Sequence, residues 1–199
     1  MLVEQMSGTL LTVAKDVKLQ VEFNPARVKA YRLIGYENRI LRPEEFNDDK
    51  KDAGDLGAGM AVTALYEVVP VASSDGAGSI DDLRYQDRPK LSVASRSGEL
   101  AMLKFRYKRP SEKTSLLFTE AVKDSAMTFA EAPAEMRFAA AVAEYGLVLR
   151  RSKFAGAESL DHVGSVARGC SGADKAGYRA EFVELVEMAA RILKAGKAD

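Results

Sequence analysis

Three clusters in this sequence have the residue types that chemistry uses. The first is the stretch "NDDKKDAGDLGAGMAVTALYEVVP", Asn47 to Pro70, where Asp48, Asp49, Asp52 and Asp55 are interleaved with Gly54, Gly57 and Gly59. Closely spaced carboxylates are ligands for hard cations, and glycine-rich turns can cradle phosphate. The second is the pair His162 and Cys170, the one histidine and one cysteine of the chain. In contact they would make a base and a nucleophile. The third is "KFRYKRP", Lys104 to Pro110, a basic run with two aromatics interleaved. That composition suits a surface on which single-stranded nucleic acid stacks.

Each cluster also has a plainer reading. An EF-hand calcium loop needs oxygen ligands at positions 1, 3 and 5, Gly at 6 and Glu at 12. Counting from Asp48 puts Lys50 third and Ala53 sixth, and counting from Asp49 puts Lys51 third. A phosphate loop leads from a strand into a helix N-terminus, whereas "GDLGAG" precedes an apolar strand-like run. The expectation is a structural turn feeding a strand, with a weak cation site over Asp48–Asp55 as the alternative. The Glu44/Glu45 and Asp81/Asp82 pairs are adjacent, so within a regular element they would not share a face.

A hydrolase using Cys170 or a serine, with His162 as base, is the enzymatic alternative. It lacks a G-x-S-x-G elbow. The Ser-Gly pairs at Ser7, Ser97 and Ser171 read first as turns. Cys170 in "RGCSGAD" reads first as a buried structural thiol. One Cys and one His exclude a zinc site built mainly from those ligands. In "KFRYKRP" the alternation sends the aromatics and most of the cations to opposite faces, which favours a strand with one solvated cationic side. No catalytic residue, cofactor or metal ligand is therefore expected, and no nucleic-acid partner.

The elements that would carry these residues fall into two kinds. In "VKLQVEF" Val17, Leu19, Val21 and Phe23 alternate with Lys18, Gln20 and Glu22, a period of two with one apolar and one wet face. Asn24-Pro25 breaks that strand, and "VKAYRLIGY" from Val28 to Tyr36 makes the next. Met60, Val62, Ala64, Tyr66 and Val68 line one face of a strand stopping at Pro70. Residues Ala72 to Gly78 read as a polar connector, followed by short candidate strands in "KLSVAS", "ELAMLKFRYKRP", "TSLLFTEAV" and, weakest, "AMTF". Turn-rich joints and no β-α-β alternation indicate an antiparallel β-sandwich over residues 1–131.

After Pro133 the period changes to that of a helix. Phe138, Val142, Tyr145 and Leu149 form one stripe, with Arg150 and Arg151 at the C-terminal end. "SLDHVGSVARG" predicts a short helix. In the last helix Tyr178, Phe182, Leu185, Ala189 and Ile192 share a face, with Val186 and Leu193 beside it, Asp174 as N-cap and Gly196 as stop. Residues 132–199 are thus a helical segment, and the fold class is mainly β with α: an antiparallel β-sandwich followed by C-terminal helices.

The bulk numbers set outer bounds. Lys plus Arg and Asp plus Glu are 29 each, a net charge of zero, which argues against sequence-independent nucleic-acid binding. One cysteine excludes an intrachain disulfide framework. "MLVEQMSGTLLTVAKDVK" lacks the basic and apolar regions of a signal peptide, and no apolar run reaches the roughly 20 residues of a membrane span.

Several long phrases carry a resemblance. "SGTLLTVAKDVKLQVEFNPARVKAYRLIGYENRIL", "FNDDKKDAGDLGAGMAVTALYEVVP", "RFAAAVAEYGLVLRRS" and "GYRAEFVELVEMA" are similar to the region immediately after the von Willebrand factor type A domain in a group of bacterial proteins. The resemblance spans Leu2 to Leu193. It implies an exported or lipid-anchored precursor at the cell envelope, with this chain as its C-terminal accessory module. The implied partner is the upstream type A domain of the same polypeptide, whose last helix "MLVEQM" resembles. The Asp-x-Ser-x-Ser motif of that domain's adhesion site does not occur here, so no metal ligand is carried over. Surface left bare by the type A domain is expected as an apolar patch near the N-terminus.

Overall fold

The computed structural model describes residues 11–35, 43–51, 53–72, 91–155 and 160–196. Residues 1–6, the Ser7-Gly8 pair, Tyr36, Asp52, most of the 72–78 connector and the Asp81/Asp82 pair lie outside them. The chain divides into two compact units, Met1–Ser125 and Ala126–Asp199.

The first unit is two antiparallel sheets. Its strands are β1 (Thr12–Phe23), β2 (Val28–Ile34), β3 (Gly54–Gly57), β4 (Leu65–Pro70), β5 (Glu99–Lys108) and β6 (Leu116–Lys123). They form a four-stranded sheet ordered β3-β1-β5-β6 and a two-stranded sheet of β2 and β4. The β-sandwich meets at Phe23, whose ring lies 4.3 Å from that of Tyr31 on β2 and 5.4 Å from that of Tyr66 on β4, measured between centroids. Asn24 fastens this corner. Its side-chain amide donates to the carbonyls of Ser95 (3.0 Å) and Glu99 (2.9 Å), and its oxygen accepts from Ala26 N.

Three strand expectations need correction. The strand read from Met60 begins only at Leu65: among the described residues Ile34 opposite Leu65 is the last pair, and Gly35 at φ +79° leaves the extended conformation. Among the described residues no strand pairs with this segment, and Met60 and Val62 are exposed. "KLSVAS" gives a 3-10 turn, Val93–Arg96, because Ser95 donates from both its amide and its hydroxyl to Ser92 O. "AMTF" likewise ends in a 3-10 turn, Phe129–Glu131, closed by a capping box between Thr128 and Glu131.

β1 is longer than its alternating core because a bulge changes its phase. Lys15 pairs with Lys108 and Lys18 with Arg106, so Asp16 and Val17 oppose Tyr107 alone. Asp16 sits at φ +51°, a left-handed conformation that Asp tolerates better than most residues. Past the bulge, odd-numbered residues of β1 share one face with Ala101, Leu103, Phe105 and Tyr107 of β5. Even-numbered residues share the other with Lys104, Arg106 and Lys108.

The second unit is three helices: α1 (Ala134–Leu149), α2 (Leu160–Arg168) and α3 (Tyr178–Ala195). Its core is Ala141, Leu160, Val163, Ala167, Val183, Val186 and Ala190, flanked by Phe138, Tyr145 and Phe182. Phe182 receives the rings of Phe138 and Tyr145 edge-on, both at 5.4 Å. The buried stripes are rotated from the expected ones. On α3 the core takes Val183, Val186 and Ala190, while Tyr178, Leu185 and Ile192 are exposed. On α1, Val142 and Leu149 are exposed and Ala141 is buried. Both helices carry apolar residues on more than one face, and the α2 contact selects the small, β-branched set. The N-cap of α3 is Gly177 at φ +75°, and Asp174 caps from outside by accepting from Arg179 N (2.8 Å) and Ala180 N (2.9 Å).

Candidate functional site

The acidic glycine stretch is built into the sheet rather than looped away from it. Its Gly54–Gly57 segment is the edge strand β3, paired with β1. That corrects the reading of these residues as a turn alone; Gly54 and Gly57 sit in a ladder. The residues before β3 fold over the even-numbered face of β1 and β5, and lysines from that face hold them. Lys18, 2% exposed, was expected on the wet side of β1. Its ammonium instead donates to the carbonyls of Glu45 and Asp48. Lys108 donates to Asp16 Oδ2 (2.6 Å) and to the carbonyl of Asp49 (2.7 Å). Arg106 reaches Ser115 Oγ (2.7 Å) and Asn47 Oδ1 (3.2 Å), with its guanidinium 5.7 Å from the centroid of the Phe46 ring.

The bulge completes this clasp. Asp16 Oδ1 accepts from Ala53 N (3.2 Å), and Asp16 N donates to Asp55 Oδ1 (3.1 Å). The hydrogen bond from Lys108 is the main cause holding the Asp16 carboxyl below its usual range, helped by Ala53 N and the charge of Lys18 and opposed by partial burial. Asp49 is also lowered, first by the Ser115 hydroxyl and then by Arg106 and Lys108. Where a cation would meet the loop carbonyls, the protein places its own ammonium groups. Among the described residues no three of His, Cys, Asp and Glu converge as a metal site would require.

The basic run belongs to the same arrangement. Lys104 pairs with Glu22 (2.9 Å), Lys108 with Asp16, and Arg109 with Glu112 (3.0 Å). The cations suggested for nucleic acid are therefore engaged within the chain.

The catalytic candidates are placed apart in environment. His162 is on the exposed side of α2, whereas Cys170 is 1% exposed and follows the helix into the core. The Cys170 carbonyl accepts from Arg179 Nη1 (2.7 Å). The Ser171 hydroxyl donates to the Arg168 carbonyl (3.1 Å) at the end of α2.

A groove of about 540 Å³ lies beside Phe23, Asn24, Ser95 and Met102. That volume is in the range of ligand pockets. Of the polar residues at its wall, Asn24 and Ser95 are engaged in the corner described above and Glu22 pairs with Lys104, while Ser92 and Glu99 also line it.

The odd-numbered face of the four-stranded sheet has a different character. Leu19, Phe105 and Phe118 stand directly opposite one another across β1, β5 and β6, and Val21 and Leu103 form the neighbouring pair. Leu19 is 46% exposed, Phe118 54%, and Val122 is exposed too. Near the beginning of β1, Leu11 and Val13 are also exposed. Sequence alternation located these residues but offered no sign that the second sheet would have two strands among the described residues and that Leu19, Phe118 and Val122 would be exposed.

The fold and its sites thus define a module of two small antiparallel sheets and a helical unit, with its polar clusters internally tied and an apolar face outward. The chain belongs to the family described as "Uncharacterized protein YfbK, C-terminal", which it matches over residues 8–192. It is 47% identical over 186 residues to "Uncharacterized protein YfbK" of Escherichia coli (strain K12), a match covering 93% of this chain. It spans 31% of that relative's length. No solved structure matches it. Among the described residues no helix is long and apolar enough to cross a membrane.

Proposed function

We propose that this chain is a non-catalytic C-terminal module that braces a von Willebrand factor type A domain of the same polypeptide and supports protein–protein contacts at the bacterial cell envelope. The observation that carries the reading is the contrast between its surfaces. The charged cluster around Asp16, Lys18, Arg106 and Lys108 is tied within the chain, while the sheet presents Leu19 and Phe118 outward on either side of half-buried Phe105. A surface of that kind gains free energy from covering apolar area, not from turning over a bound molecule. The family's description as a C-terminal region and the 31% coverage of the relative support a longer polypeptide around it. The type A domain itself rests on the sequence resemblance.

Calorimetry of the full gene product beside the 199-residue chain tests this. Coupled unfolding, with the module's transition raised by the preceding region, is the expected result. A trace that is the plain sum of independent transitions would contradict it. The enzymatic alternative requires His162→Gln to abolish a turnover; on the present reading His162→Gln and Cys170→Ser change no activity.

A further inference from the structure

The two sheets of the sandwich are unequal, and the inequality is localised. The β2–β4 ribbon meets the larger sheet at Phe23. Beyond that corner the apolar row runs on through Leu19, Phe105 and Phe118, with the Tyr107 ring tilted against that of Phe105 at 5.4 Å between centroids. In its outer strand this face bears one charge, Glu120, opposite Leu103. Edge strands of sheets that stay in water carry lysines or inward charges against unwanted partners; on β6 Glu120 is such a charge, flanked on the same face by exposed Phe118 and Val122.

We infer that the bare part of this face, centred on Leu19, Phe105 and Phe118, is the docking seat of the region that precedes the module in the longer polypeptide. The inference rests on the proposed function and names the surface through which it acts. Two observations and one general argument favour this occupant. The relative extends well beyond the match, which covers 31% of it, and the family is by description C-terminal, so the additional length lies upstream. The first described strand, β1, is a central strand of this sheet and contributes Leu19 to the row. Tethering converts docking into an intramolecular event at millimolar effective concentration, so a modest apolar seat suffices. The occupant must offer a largely apolar surface, since Leu19, Phe105, Phe118 and Val122 have little to offer a charged one.

Thiol accessibility reads this directly. Phe118→Cys places a probe in the seat, and Thr119→Cys, one residue along on the opposite exposed face, is the control; native Cys170 is buried. Maleimide labelling is timed in the 199-residue chain and in the full gene product. The expected result is at least tenfold slower labelling of Phe118→Cys in the full gene product, with Thr119→Cys equal in both. Equal rates for Phe118→Cys overturn the inference. So does slow labelling already present in the 199-residue chain; if that protection fades on dilution, the occupant is a second copy. Equal rates together with coupled unfolding sink the seat but leave the bracing role. Independent unfolding sinks the bracing role itself.

Discussion

Asp16 concentrates the logic of the first unit in one residue. It takes the left-handed conformation of the bulge, accepts from Lys108 and Ala53, and lets its amide reach Asp55. Asp16→Ala removes the acceptor and puts a less tolerant residue at positive φ, and is expected to cost about 2 kcal/mol in chemical denaturation. Asp16→Asn keeps the φ tolerance and part of the hydrogen bonding, and is expected to cost about 1 kcal/mol. The folded carboxyl is lowered from its unfolded value, so its contribution is full above that value and lost as pH falls through the lower, folded one. The stability gap between wild type and Asp16→Asn should be widest at pH 7 and begin to close below about pH 4. A gap that widens on acidification would contradict the clasp. Lys18→Met leaves the Glu45 and Asp48 carbonyls without their buried donor, and a loss of roughly 2 kcal/mol is expected from the same measurement.

At the scale of elements, the account turns on which of two apolar stripes a helix buries. Val186 is 0% exposed and Leu185 is 48% exposed. Val186→Ala is expected to destabilise the helical unit by roughly 2 kcal/mol and Leu185→Ala by under about 0.5, read from thermal unfolding. The reverse order would restore the stripe expected from periodicity. That stripe shows where the sequence was legible. The elements β1, β2, β5, β6 and the three helices all follow from period and punctuation. Their rotation does not, because α3 is apolar on more than one side and the α2 contact decides. The site was legible in composition but not in arrangement. Carboxylates and cations were visible at Asp48–Asp55 and Lys104–Arg109, but their pairing depends on the bulge at Asp16. Nothing in the local pattern announces that bulge, nor that the segment before β3 folds over Lys18 and buries it. Asp174 was recognisable as a cap, though Gly177 occupies the cap position; Asp174→Ala should cost about 1 kcal/mol.

At the scale of the molecule, the chain is two compact units with unlike sources of stability. The helical unit buries a shared apolar core, whereas the sheet unit combines a small set of buried residues with the charged clasp and leaves an apolar face outward. That imbalance is what a part made to be covered would show. It places the central claim on a surface that can be altered without touching either the clasp or the helical core. The most direct measurement is calorimetric unfolding of the full gene product carrying Phe118→Asp. Phe118 is half-exposed, so the substitution leaves the 199-residue chain's own midpoint within about 2 °C. In the full gene product the account predicts that the transitions uncouple and the midpoint falls by 5 °C or more, roughly the effect of losing 1–2 kcal/mol of docking. An unchanged, still coupled transition in the Phe118→Asp protein would contradict it.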